Sequence, residues 1–208
     1  MKNPGEILCK TVNLTKSFGK KQVLTGCSLT AARGERIGLI GENGSGKSTF
    51  LKCLMGFTPP SQGLVELGGV IGYCPQDNFL NKKYTVAEHL ELAKAIYENY
   101  REVSRQYTQH LLCRFKLLPY MDTFIGNLSS GTFQKVKLVT AIYHTPDIVL
   151  LDEPYDGFDW QMYQVFWEVM EDMKTRNISV LMVSHFIYDY QRFDRIYELK
   201  EGHLEQTR

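Results

Sequence analysis

Lys47 and Ser48 close the run GENGSGKST at residues 41–49, and Asp152 and Glu153 stand side by side directly after the apolar run IVLL at residues 148–151. These are residue types that handle phosphate. The glycine-rich run fits the spacing G-x-x-x-x-G-K-[ST] at Gly41, Gly46, Lys47 and Ser48. Its glycines let the backbone curl until successive N–H groups point inward at phosphate oxygens. Lys47 adds positive charge near the outer phosphates, and the Ser48 hydroxyl can ligate Mg²⁺. Asp152 would face that ion, directly or through water, and Glu153 is placed to orient and deprotonate an attacking water. Taken alone, a glycine-rich run is often only a turn, and neighbouring acids are often only solvated. The elements around them decide.

Residues 36–40 (RIGLI) read as a buried strand, and residues 48–55 read as a helix closed by Gly56. The loop between them then sits at a helix N-terminus, whose free N–H groups and dipole favour anions. Residues 148–151 have the continuous apolar character of a buried parallel strand, so Asp152 and Glu153 fall at its carboxyl end, where α/β sheets bind ligands. Residues 178–183 form a second such run. Residues 7–14 and 23–31 read as strands joined by a turn at Gly19-Lys20-Lys21, with shorter strands at 64–67 and 70–73. From Thr85 the period becomes helical. Thr85 and Glu88 fit a capping box, with Val86, Leu90, Ala93 and Tyr97 on one face. Helical patterns follow at 101–115 and 132–143. Asp159 is read as the cap of a helix over 160–176, whose stripe Trp160, Tyr163, Phe166, Trp167, Met170 and Met173 is expected to pack in the core. A final hairpin, 196–199 with 204–206, turns at Gly202. The sequence thus predicts one α/β domain over 1–208 with an all-helical insertion at roughly 77–140.

Bulk properties restrict the setting. The net charge of +1 gives no electrostatic reason to expect nucleic acid. No run approaches the ~20 apolar residues of a membrane span, and the first ten residues lack the apolar core of a secretory signal. The five cysteines stand singly, as buried small residues in a reducing cytosol would.

With these residues in place, the chain resembles an ATP-binding cassette (ABC) ATPase, the nucleotide-binding unit of ABC transporters, over essentially its whole length. GENGSGKST resembles Walker A, and Gln76 in YCPQ resembles the Q-loop glutamine. LSSGTFQK at 128–135 resembles the ABC signature, and IVLLDEP resembles Walker B with its following glutamate. Residues 156–159 (DGFD) resemble the D-loop, and His185 in VSH resembles the switch histidine. Phe18 stands where the family has an aromatic residue against adenine. The resemblance implies a P-loop NTPase core with ATP and Mg²⁺ as ligands. It implies catalytic roles for Lys47, Glu153 and His185 and metal contacts from Ser48, Gln76 and Asp152. Nucleotide contacts are implied for Phe18, Gly41, Glu42, Asn43, Gly44, Ser45, Gly46, Lys47, Ser48, Thr49 and Gln76, and for Ser129 and Gly131 toward the ATP of a second cassette packed head to tail. A separate polytopic membrane subunit is also implied, placing the chain on the cytoplasmic face of a membrane.

The departures are specific. The family signature reads L-S-G-G-Q, whereas this chain has Ser130 and Thr132 at the third and fifth positions. Tyr155 and Asp156 replace the usual threonine and serine before the D-loop glycine, and Phe158 replaces leucine. The segment between Lys47 and Gln76 is shorter than in most cassettes, which predicts a trimmed antiparallel β layer. IGYCPQDNFL followed by YTVAEHLEL most resembles exporters. The alternative is a soluble, non-transport ABC ATPase of an assembly or translation complex.

Overall fold

A computed structural model describes residues 5–100, 102–187 and 189–208. Two long strands open the chain, β1 (Ile7–Phe18) and β2 (Lys21–Ala32), paired antiparallel. With β4 (Gln62–Leu67) they form a three-stranded sheet in the order β2-β1-β4. The second sheet has six strands: β3 (Arg36–Ile40), β5 (Ile71–Cys74), β6 (Ile148–Asp152), β7 (Ser179–Ser184), β8 (Arg195–Lys200) and β9 (His203–Gln206). Their order is β5-β6-β7-β3-β8-β9, parallel except for the terminal hairpin β8-β9. β6 and β7 are buried at every position, as their continuous apolar runs demand.

Two cores result. One lies between the sheets and includes Phe50, Leu51 and Leu54 of α1 (Lys47–Leu54). The other covers the opposite face of the six-stranded sheet with α2 (Val86–Tyr97), α3 (Arg105–Arg114), α4 (Ser130–Ile142) and α5 (Trp160–Thr175). Thr85 caps α2, and both halves of its capping box form.

Three expectations need correction. Of the five cysteines read as buried, Cys113 is exposed, near the end of α3. The helix read over 101–115 begins at Arg105, because the Ser104 side chain accepts the Tyr107 N–H and sets the start there; residue 101 lies outside the described residues. Trp160, assigned to the core stripe of α5, is 71% exposed. It occupies the first helical position, so it overhangs the helix end and stacks on Tyr163 instead of entering the core. Phe166, Trp167, Met170 and Met173 are buried as read.

Candidate functional site

The parallel strands bring together what the sequence holds far apart. Ile40 of β3 pairs with Ser184 of β7, Asp152 of β6 with Val183, and Cys74 of β5 with Leu151. The carboxyl ends of four adjacent strands therefore deliver the glycine-rich loop, Ser184-His185, Asp152-Glu153 and Pro75-Gln76 to one rim. A cleft of ≈ 420 Å³ opens there, lined on its floor by Lys47, Ser48, Asp152 and Glu153. Gln76, His185 and Phe18 stand at its sides.

Gly46 forms the N-cap of α1 at φ 111°, a left-handed conformation that a side chain would strain. A Cβ there would also come within 3.1 Å of Val23 and Leu24. α1 has no side-chain cap and no acid in its first turn, so its N-terminal N–H groups keep their attraction for an anion.

Lys47 is 6% exposed, and its Nζ donates to Gly41 O at 2.6 Å and Glu42 O at 2.9 Å. His185 Nδ1 lies 3.4 Å from the same amine. Burial pulls the Lys47 pKa down, while the nearby Glu153 and Asp152 carboxylates oppose the shift. Glu153 sits at φ 48°, a left-handed conformation that is costly for a non-glycine residue and marks a turn made for position. Its N–H donates to Val183 O at 3.0 Å, and its Oε2 accepts from Ser184 Oγ at 3.0 Å. Oε1 lies 3.3 Å from His185 Nε2, at ion-pair distance but without hydrogen-bond alignment. Burial raises the pKa of Glu153, opposed by the Ser184 hydroxyl and by His185. Burial likewise raises that of Asp152, opposed by a hydrogen bond from Ser48 and by Lys47.

The residues fit a magnesium nucleotide. Two buried carboxylates face one buried amine, so a divalent cation beside Ser48 and Asp152 would relieve an uncompensated negative charge. Phe18 is 53% exposed at the mouth of the cleft, free to take a flat base on its ring, with Lys16 Nζ 4.9 Å from the ring centre. Asn43, Gly44 and Thr49 also line the cleft. Glu42 and Ser45 instead border a neighbouring hollow with Glu198 and Lys200.

Ser129 and Gly131 are not among the residues of this cleft. Ser129 caps α4, accepting from Thr132 N and lying 2.9 Å from the Thr132 hydroxyl. Several contributors escaped the sequence reading. Ser184 contacts Glu153, and its position directly before His185 was the available signal. Lys21 and Val23 line the cleft from β2. Gln134 and Lys137 of α4 donate to the turns that carry Glu153 and Gln76, and nothing in a helical pattern marks that role.

Comparison with known proteins agrees with this geometry. Residues 24–156 match the family described as ABC transporter. The chain belongs to the ABC transporter ATP-binding family. It is 33% identical to the Nod factor export ATP-binding protein I of Burkholderia lata over 203 residues, 91% of this chain and 67% of that protein. It is 34% identical over 176 residues to a Thermotoga maritima protein named "Probable metal transport system ATP-binding protein", covering 84% of this chain and 73% of that one. Among solved structures, the ATP-binding subunit of an ABC transporter superposes with a TM-score of 0.86 at 27% identity, covering 96% of this chain and 90% of that one. The cassette is accordingly an ATPase, an ATP-binding subunit of a transport system in which hydrolysis is coupled to transport. Among the described residues no helix is long and apolar enough to cross a membrane.

Proposed function

We propose that the cassette is the ATP-hydrolysing subunit of an exporter, driving movement through a separate transmembrane subunit on the cytoplasmic face of a membrane. The observation that carries the ATPase part is the convergence of Lys47, Asp152, Glu153 and His185 at one rim of the parallel sheet. Lys47 and the α1 N-terminus hold the phosphates. Glu153 takes the proton of the attacking water, and His185, within reach of both Glu153 and Lys47, holds the outer phosphate. Ser48, Asp152 and Gln76 would hold Mg²⁺, which when bound neutralises phosphate charge as the bond to the leaving group breaks.

Ser129 and Gly131 stand apart from the chain's own cleft and open the α4 N-terminus to solvent, which supports a head-to-tail pair in which each cassette closes the other's site. The helical segment at roughly 77–140, with the stretch after Gln76, forms the docking side for the membrane subunit. Phe79, Tyr84 and Phe124 are exposed there, which supports an apolar contact on this side. Export rests on the resemblance of residues 71–92 to exporter cassettes and on the Nod factor export relative. The metal transport relative favours a broader reading of direction.

Affinity purification from detergent-solubilised membranes tests this function. A polytopic membrane protein should co-purify in stoichiometric amount. Recovery only with ribosomes or soluble complexes would overturn the transport reading and leave the ATPase reading standing. Substrate accumulation inside inverted vesicles, against depletion from them, decides export.

A further inference from the structure

We propose that Tyr155 is a positioning residue for Glu153, acting through Ser184. The inference rests on the reading of Glu153 as the base that activates water. Ser184 is 2% exposed and Glu153 4%, so no bulk water competes for their hydrogen bonds. A serine hydroxyl carries one proton and two lone pairs. The Tyr155 hydroxyl approaches Ser184 Oγ at 3.3 Å, and the Phe186 N–H donates to it at 3.4 Å. The Ser184 lone pairs face the Phe186 N–H and the Tyr155 O–H, whose single proton is shared between Ser184 Oγ and Phe186 O, both at 3.3 Å. The carboxylate can only accept, so the one Ser184 proton goes to Glu153 Oε2, 3.0 Å away. That contact engages one carboxylate oxygen and leaves Oε1, on the His185 side, to receive a proton from water.

The tyrosine is itself held. Its ring meets Tyr163 edge-on, centroids 5.3 Å apart, and Phe166 at 5.4 Å, both on α5. Its hydroxyl also lies 3.3 Å from Phe186 O, in the loop that carries His185. The carboxylate orientation is thereby tied to the aromatic block of α5 through the turn at 154–159. A displacement of that turn would turn the base, because a shift of an ångström at a reacting group is enough to cost rate.

The test is steady-state hydrolysis and nucleotide affinity of the full chain. Tyr155→Phe keeps the ring and its packing and deletes the hydroxyl. We expect kcat to fall about tenfold while KM and nucleotide affinity stay within about twofold, the pattern of an interaction used only in the transition state. Ser184→Ala should lose at least as much. The double variant Tyr155→Phe/Ser184→Ala should be no slower than Ser184→Ala alone, since groups acting in series are not additive. Wild-type kcat in either single variant, or losses that multiply in the double variant, would overturn the proposal. Glu153→Gln in parallel separates the two readings. Wild-type turnover there removes the base assignment and this inference with it. An inactive Glu153→Gln beside a fully active Tyr155→Phe removes this inference alone.

Discussion

At the scale of the residue, the site is built from charges that are uncomfortable without ligand. The Lys47 amine satisfies itself on two carbonyls of its own loop, and exchanging them for phosphate oxygens is what its proposed role asks of it. A charge-assisted hydrogen bond contributes about 1.5–3 kcal/mol, so Lys47→Ala should weaken ATP binding by about ten- to a hundredfold in a fluorescent-nucleotide titration. Glu153→Gln should behave oppositely, retaining ATP while kcat falls by about a hundredfold or more. It should also raise the melting temperature of the nucleotide-free protein. Burial lifts the Glu153 pKa above its unfolded value, so the folded state holds that proton more tightly. The stabilising effect of protonation is present at acid pH and is lost as pH rises through the folded pKa. Glutamine carries no such charge. The advantage of the variant should therefore grow from acid to neutral pH in thermal melts, and equal melting curves at neutral pH would contradict it.

Among elements, α4 does the most. Gln134 Nε2 donates to Glu153 O at 3.1 Å and Pro154 O at 3.0 Å. One turn on, Lys137 Nζ donates to Pro75 O at 2.8 Å and Gln76 O at 3.0 Å. A single helix thus ties down the turns after β5 and β6, which carry Gln76 and Glu153, the residues proposed above for the metal and the attacking water. Lys137 is 2% exposed, and burial lowers its pKa. Lys137→Met keeps the apolar stem and leaves both carbonyls without that donor. We expect a loss of about 1–3 kcal/mol, read as a drop of several degrees in melting temperature. At the other end of the helix, Ser129→Ala should cost about 1 kcal/mol as a lost cap. Ser129→Arg separates capping from partner contact. Because Ser129 is outside the chain's own cleft, the variant should bind nucleotide normally and lose hydrolysis, with binding and turnover measured on the same preparation. Weakened binding would place Ser129 in its own chain's site.

For the molecule as a whole, the site is open on one side. The cleft leaves Phe18 half exposed, and Ser129 and Gly131 are not among its lining residues. In the proposed head-to-tail pair a second cassette closes it, so Glu153→Gln with ATP should elute as a dimer in size-exclusion chromatography with light scattering. The same protein without nucleotide, and Lys47→Ala with ATP, should elute as monomers. A nucleotide-independent monomer in all three samples would count against the head-to-tail pair.

Much of this was legible in the sequence because the signals are local. The loop at 41–49 needs glycines where the backbone turns left-handed, β6 and β7 need unbroken apolar runs because both faces are covered, and Thr85 with Glu88 caps a helix within its own first turn. Each is a property of neighbouring residues, readable without knowing what lies across from them. The tertiary structure decided what lies across. Parallel pairing set Ser184 beside Glu153, α5 packing fixed Tyr155, and the crossing of α4 beneath β5 and β6 made Lys137 and Gln134 anchors instead of surface residues. Trp160 went the other way: a stripe drawn by periodicity cannot say where the helix emerges from its neighbours, and the first residue of α5 lies beyond them while Met162 is already buried. Spacing along a chain records the elements, whereas the partner of a buried polar group is set by which elements the sheet order makes adjacent.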